Sequence, residues 1–366
     1  MRGEQMEIGI IGLPRSGKTT LFNALTRGTA GVHAYSSGKS EPNVGVVKVP
    51  DQRLGQLASV FNPKRTVSVE ITYLDAPAWT ESRSGLGGEL LVLLGRVNAF
   101  IHVVRMFDDA SVPHPEGSLD PGRDVELMNT EMVFSDMGIV ERRLLKVEEL
   151  LKGAKAMEKD RLLQEKDLLH RLQSSLEDGI PVGQQSLTDA ETKLADGYQF
   201  LTAKPALLIL NIGEEQVGHA VSLEQDFDSR YGVSEVAAVC AKLEMELAQL
   251  EEAEAVEFRE AMGLGTAVID RVIALSYRAL GLVSFFTVVS GEVRAWTVRQ
   301  GTTAQKAAGK VHSDMERGFI RAEVVSYDDL LSCGGTAEAR KRGLLRVEGK
   351  DYVVRDGDII TFLFNV

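Results

Sequence analysis

Cysteine is scarce in this chain. Two thiols among 366 residues, Cys240 and Cys333, supply neither a disulfide framework nor a four-ligand zinc site. Long apolar runs are missing as well: none approaches the roughly 18 residues that a membrane-spanning helix needs, so no membrane partner is expected. Met1–Ile10 lacks the basic and apolar stretches of a signal peptide, and the expected setting is cytoplasmic. Basic charge is in deficit, with 41 Lys/Arg against 53 Asp/Glu and a net charge of −12, which excludes a protein that coats nucleic acid over its whole surface. What remains is an ordinary globular composition, 44% hydrophobic and 26% charged, in a chain longer than one compact core usually holds. Two or three domains are expected.

The charge is unevenly divided. Residues 283–366 hold 12 basic and 11 acidic residues, which leaves −13 on residues 1–282. Between Arg294 and Arg321 there are six basic residues and two acidic ones, a local face able to meet a phosphate backbone or simply to be solvated.

Short β-branched runs at 7–12, Val67–Leu74, Ala99–Val104 and Ala206–Leu210 read as buried strands with helical patterns between them. That alternation predicts an α/β fold with a mostly parallel sheet. Around Asp136–Leu176 the apolar spacing becomes helical in two stretches, Leu144, Val147 and Leu151, then Leu162, Leu169, Leu172 and Leu176. The glycine and lysines of Lys152–Lys159 separate them as the tip of a helical hairpin. Thr188 and Glu191 have capping-box spacing for a further helix. After about Leu282 short strands and turns predict a small β-rich domain, with a turn at Asp356-Gly357-Asp358 between two strand-like runs. The expected organisation is a nucleotide-binding domain from 1–135 and 202–282, a helical insertion at 136–201 and a C-terminal domain at 283–366.

Residues 12–19, Gly12-Leu13-Pro14-Arg15-Ser16-Gly17-Lys18-Thr19, satisfy G-x-x-x-x-G-K-[ST]. A β-branched strand precedes them and Thr20-Leu21-Phe22-Asn23-Ala24-Leu25 continues as a helix. Glycines let successive backbone N–H groups turn toward phosphate oxygens at a helix N-terminus. Gly12, Pro14, Arg15, Ser16, Gly17, Lys18, Thr19 and Thr20 are therefore candidate nucleotide contacts, with Lys18 on the β and γ phosphates and Thr19 on magnesium.

Gly12–Leu25 resembles the phosphate loop of the Obg-related GTPases, and further segments narrow the resemblance to the YchF/Obg-like ATPase subfamily. They are Glu41-Pro42-Asn43-Val44-Gly45, His102-Val103-Val104-Arg105, Asp120-Pro121 with Arg123-Asp124, Arg294-Ala295-Trp296-Thr297, and Gly318 to Val324 followed by Tyr327-Asp328-Asp329. The resemblance spans essentially the whole chain. It implies a P-loop nucleotide-binding domain interrupted by a helical hairpin, then a ubiquitin-like β-grasp TGS domain.

In relatives that read guanine, N-K-x-D supplies the carboxylate; here the corresponding residues are Asn211-Ile212-Gly213-Glu214. The matching N-x-x-E in the resembled subfamily goes with ATP, so ATP is expected and GTP is the alternative. Cys240, Ala241 and Lys242 resemble the loop whose backbone lies along the base. Asp75, in Asp75-Ala76-Pro77-Ala78, falls where the family holds magnesium through water, and Ala78 stands where the family has glycine, offering its N–H to a γ-phosphate. The family's magnesium-sensing threonine is replaced by Lys39, and Trp79 follows Ala78. These departures leave two expectations: a slow ATPase or GTPase, or a hydrolysis-deficient scaffold that senses nucleotide. Arg15 replaces the family's asparagine, either as a source of positive charge on the reacting phosphates or as a solvent-exposed side chain. TGS domains occur in translation-linked proteins. Contact with ribosomes or RNA through that domain and the basic hairpin tip is therefore expected, with Trp296 and Phe319 as stacking or core residues.

Overall fold

The computed structural model describes residues 6–30, 42–77, 88–231, 235–262, 267–289 and 291–365. In chain order the first half runs β1 (Glu7–Ile11), α1 (Lys18–Thr26), β2 (Asn43–Lys48), α2 (Gln52–Phe61), β3 (Arg65–Val67), β4 (Glu70–Asp75), α3 (Gly88–Arg96), β5 (Ala99–Arg105), α4 (Pro121–Leu151), α5 (Ala156–Glu177) and α6 (Asp189–Asp196). It continues with β6 (Ala206–Asn211), α7 (Ala220–Tyr231), β7 (Val236–Val239), α8 (Ala241–Leu247), α9 (Glu252–Ala261) and α10 (Val268–Ala279). The remainder is β8 (Leu282–Val289), β9 (Glu292–Arg299), α11 (Ala304–Val311), α12 (Ser313–Arg317), β10 (Phe319–Ser326), α13 (Tyr327–Cys333), α14 (Thr336–Lys341), β11 (Arg346–Glu348) and β12 (Asp358–Phe364). Among the described residues no helix is long and apolar enough to cross a membrane.

The chain packs as two compact units. One draws on Glu7–Gly45 and Thr72–Ile269, the other on Met1–Met6, Val46–Ile71 and Asp270–Val366. The first carries a six-stranded sheet in the order β2-β4-β1-β5-β6-β7. Its β1 is parallel to β4 and β5, β5 to β6, and β6 to β7. The β5 run AFIHVVR is buried at every position, as expected of a strand covered on both faces. The register sets Ile10 beside Asp75, Ile11 beside His102, and Arg105 beside Asn211. The carboxyl ends of β1, β4, β5 and β6 therefore meet at one edge, where open α/β sheets bind ligands.

The hairpin is formed by α4 and α5. Val140, Leu144 and Val147 pack against Leu162, Leu168, Leu169, Leu172 and Leu176 in one buried cluster. Thr188 and the side chain of Glu191 form a complete capping box on α6. The insertion has an earlier root than expected: α4 starts at Pro121, with Asp120 accepting from the Arg123 N–H, and its Met128 and Met132 pack with Ile11 and Leu13. One continuous helix thus serves the sheet first and the hairpin second.

The second unit holds a mixed sheet, β11-β10-β12-β8-β9-β3. Strands β8 and β9 form an antiparallel hairpin, β10 is antiparallel to β12, and β12 and β3 run parallel to β8 and β9 respectively. Residues 46–71, which the sequence assigns to the nucleotide domain, pack here. Leu54 and Leu57 of α2 share a cluster with Phe286, Val293, Leu330 and Ile359. Arg53 binds both oxygens of Asp51 and both of Asp356, and lies over the Phe286 ring. The run Val67–Leu74 is accordingly not one strand: Arg65–Val67 pairs with β9, and the chain resumes as β4 in the other sheet. Trp296 donates from Nε1 to Thr287 Oγ1 and stacks with Phe285, while Phe319 packs at the margin of the same apolar cluster. The expected strand before the Asp356–Asp358 turn is reduced to a single bridge between Thr303 and Val353.

Candidate nucleotide site

The site begins where β1 ends. Gly12 has φ +148°, and a Cβ there would meet the Val103 carbonyl oxygen at 2.3 Å; Gly17 has φ +97°, and a Cβ would meet Asn211 Nδ2 at 2.1 Å. Both positions need glycine, which lets the backbone turn sharply and enter α1. Lys18 is buried, and its Nζ donates to the carbonyls of Gly12 and Leu13, each at 2.9 Å. Burial holds its pKa down to about 8, with Asp75 pulling the other way. A buried ammonium whose hydrogen bonds among the described residues go to neutral carbonyls is poised for an anionic partner. In the same loop Ser16 Oγ is buried and has no hydrogen-bond partner among the described residues.

The threonine–aspartate end of the loop is equally specific. Thr19 Oγ1 donates to Asp75 Oδ2 at 2.8 Å, and Asn43 Nδ2 donates to the same oxygen at 3.1 Å. Asp75 Oδ1 is buried and has no hydrogen-bond partner among the described residues. An open carboxylate oxygen beside a threonine hydroxyl suits a hard, oxygen-seeking cation such as magnesium. His102, buried beside this end, has its pKa lowered to about 4 by burial and by the Lys18 charge, and stays neutral.

On the base side, Asn211 donates from Nδ2 to the Ser16 carbonyl and accepts at Oδ1 from the Ala241 N–H. Glu214 lies at the surface, paired with Lys242 at 3.0 Å. Cys240, buried, precedes α8, and burial pushes its thiol pKa up. Bidentate pairing of Arg259 with Glu244 ties α9 to α8.

Two family models match: residues 7–140 match a 50S ribosome-binding GTPase, and residues 282–365 match the YchF-GTPase_C domain, described as a protein of unknown function. The ribosome-binding ATPase YchF of Bacillus subtilis is 42% identical over 98% of this chain and 99% of its own length. The chain belongs to the YchF family. The Escherichia coli O157:H7 YchF is 39% identical, with 98% of this chain and 99% of its own length covered. The solved YchF GTPase of Schizosaccharomyces pombe superposes with a TM-score of 0.84 at 29% identity, covering 99% of both chains.

Within this YchF-family site the structure brings Gly12, Pro14, Ser16, Gly17, Lys18, Thr19, Thr20 and Asp75 to one end, and Asn211, Glu214, Cys240, Ala241 and Lys242 to the other. Arg15 Nη1 donates to the Pro113 carbonyl at 2.8 Å. Ala78, Trp79 and Lys39 lie outside the described residues. The 106–119 connection carries no motif in the sequence. There the buried Arg105 donates to the carbonyls of Phe107, Asp109 and Val112 and lies over the Phe107 ring at 4.4 Å. His114 Nε2 meets Asp124 Oδ2 at 2.9 Å, with both side chains nearly buried. The signal available was an arginine closing an otherwise apolar strand.

Proposed function

We propose that this YchF-family chain is a cytoplasmic P-loop switch that binds ATP, with GTP as the alternative, together with magnesium. It turns the nucleotide over slowly and uses its nucleotide state to gate contact with ribosomes or RNA. The observation that carries the reading is the buried Lys18 ammonium at the head of α1, close to a threonine–aspartate pair with one open carboxylate oxygen. Lys18 neutralises phosphate charge, and the glycine-shaped loop from Gly12 to Thr20 directs backbone N–H groups at the phosphates. Thr19 and Asp75 hold magnesium, which supplies charge neutralisation on the phosphate oxygens. Ile212 to Glu214 and Cys240 to Lys242 flank the base, and Asn211 fixes their distance from the phosphate loop. The relatives' names, ribosome-binding ATPase, support the ribosome as partner. The C-terminal domain and the basic hairpin tip are the surfaces for that contact. Alanine at position 78 in place of the family's glycine favours a second reading, a nucleotide-sensing scaffold with negligible turnover.

Single-turnover hydrolysis of radiolabelled ATP and GTP with magnesium tests the pair of readings. Slow product formation above a Lys18→Ala control supports the switch; binding without product leaves the scaffold. Co-sedimentation with ribosomes, with and without nucleotide, tests the partner.

A further inference from the structure

The connection from β5 to α4 is largely exposed from Asp108 to Asp120 and carries no helix or strand of its own. It is nevertheless anchored at several points. At its start, the N–H groups of Met106 and Phe107 both donate to the Asn211 carbonyl, at 2.8 and 3.0 Å. In its middle the Arg105 guanidinium gathers three of its carbonyls. At its end Arg123 donates to the carbonyl and hydroxyl of Ser118, and Asp124 holds His114. A further bond, from Arg15 to the Pro113 carbonyl, crosses from the phosphate loop itself.

Arg15 sits at φ +62°, a left-handed conformation that costs a non-glycine residue energy. Its Nη1 donates to the neutral Pro113 carbonyl. The strap from Phe107 to Ser118 is thereby joined to the base side of the site through Asn211 and to the phosphate side through Arg15.

We propose that Arg15 is a latch: it fixes the 107–118 strap to the phosphate loop and so sets the rate at which nucleotide enters and leaves. This rests on the nucleotide-binding reading above. A strap with few buried apolar contacts opens at low cost once a tether is lost. Arg15 is then a positioning residue. Removing it speeds association and dissociation together and leaves the equilibrium affinity nearly unchanged. An arginine acting directly on the phosphates behaves otherwise: its loss speeds dissociation alone and weakens ATP more than ADP.

The test uses the full chain as Arg15→Ala and Arg15→Gly, the second because glycine accepts φ +62° without strain and keeps the loop's shape. Hydrogen exchange of the nucleotide-free protein over residues 107–118, whose Ser111, Val112, Glu116 and Gly117 N–H groups are bonded, is expected to quicken at least about fivefold in both variants. Stopped-flow exchange of fluorescent ADP and ATP analogues is expected to show both rate constants rising about fivefold or more, with Kd within about twofold. Unchanged exchange of the strap overturns the latch, as does a rise in dissociation alone with selective loss of ATP affinity. If the unaltered chain binds no nucleotide, the parent reading falls, and strap exchange still decides whether Arg15 holds the strap.

Discussion

The side-chain amide of Asn211 donates to the Ser16 carbonyl at 2.8 Å, joining residues 195 positions apart. The same side chain accepts from Ala241 N–H at 3.1 Å, so both ends of its amide are committed to backbone. Asn211 is thus a brace between the phosphate loop and the base loop. If the nucleotide spans both loops as proposed, such a brace sets the distance the ligand has to fit.

Asn211→Ala leaves a buried acceptor at Ser16 and a buried donor at Ala241. Stability should fall by about 2 kcal/mol, the scale of unsatisfied buried groups. ATP affinity should fall about tenfold or more as the two loops lose their register. Urea unfolding and equilibrium titration of the variant check both; an unchanged affinity would mean that the base loop is positioned by its own packing.

Lys18 links binding to a cost in stability. Burial lowers its pKa in the fold to about 8, below the 10.5 of an exposed lysine. Between those values the unfolded chain binds more protons than the folded one, so stability rises with pH through that window. At pH 7 the full penalty of the buried charge is present. Lys18→Met should therefore unfold at equal or higher denaturant than the natural chain at pH 7, by an increment of about 1–3 kcal/mol. The natural chain should gain on the variant from about pH 8 to 10.5. A less stable variant at neutral pH would show that the carbonyls of Gly12 and Leu13 already compensate the charge.

Packing of residues 46–71 into the C-terminal unit has a direct test. The chain has two tryptophans, Trp79 and Trp296, so a Trp79→Phe background leaves Trp296 as the reporter of the second sheet. Leu57 is fully buried in the cluster that contains Phe286 and Val293. Leu57→Ala should destabilise the Trp296 transition by about 2–5 kcal/mol, as for other large-to-small core changes. A Trp296 transition that does not move would detach α2 from that core.

The parts legible in the sequence are those whose signal is local. The phosphate loop, the hairpin leucines and the Thr188–Glu191 capping box each lie within a few turns of chain, and each has its expected form. The residues that escaped depend on contacts distant in sequence. Arg65–Val67 is too short to announce which sheet it joins, and β7, Val-Ala-Ala-Val, is four residues with no alternation. The root of α4 at Pro121 was hidden because its first turns face the sheet and its later ones the hairpin, which changes the apolar stripe midway. Nothing local in Arg15 points to Pro113, 98 residues away.

On the proposed reading base choice involves Glu214, whose carboxylate faces Lys242 at the surface. The ion pair itself contributes little at such exposure. Glu214→Asp withdraws the carboxylate by one methylene and should move the ATP/GTP affinity ratio toward GTP by about 1 kcal/mol, the scale of one net hydrogen bond. Side-by-side titrations of the two nucleotides read the ratio, and a ratio that stays put assigns base recognition to backbone groups.

On the proposed reading Lys18, Thr19 and Asp75 form a working magnesium–triphosphate site. Equilibrium titration of the natural chain and of Lys18→Ala with ATP and GTP, each in the presence of magnesium, tests it most directly. Saturable binding to the natural chain is expected, weakening by at least about a hundredfold in the folded variant, because a charge-assisted contact to phosphate is lost from a dry site. Equal affinity in the two proteins, with the variant folded, would contradict it.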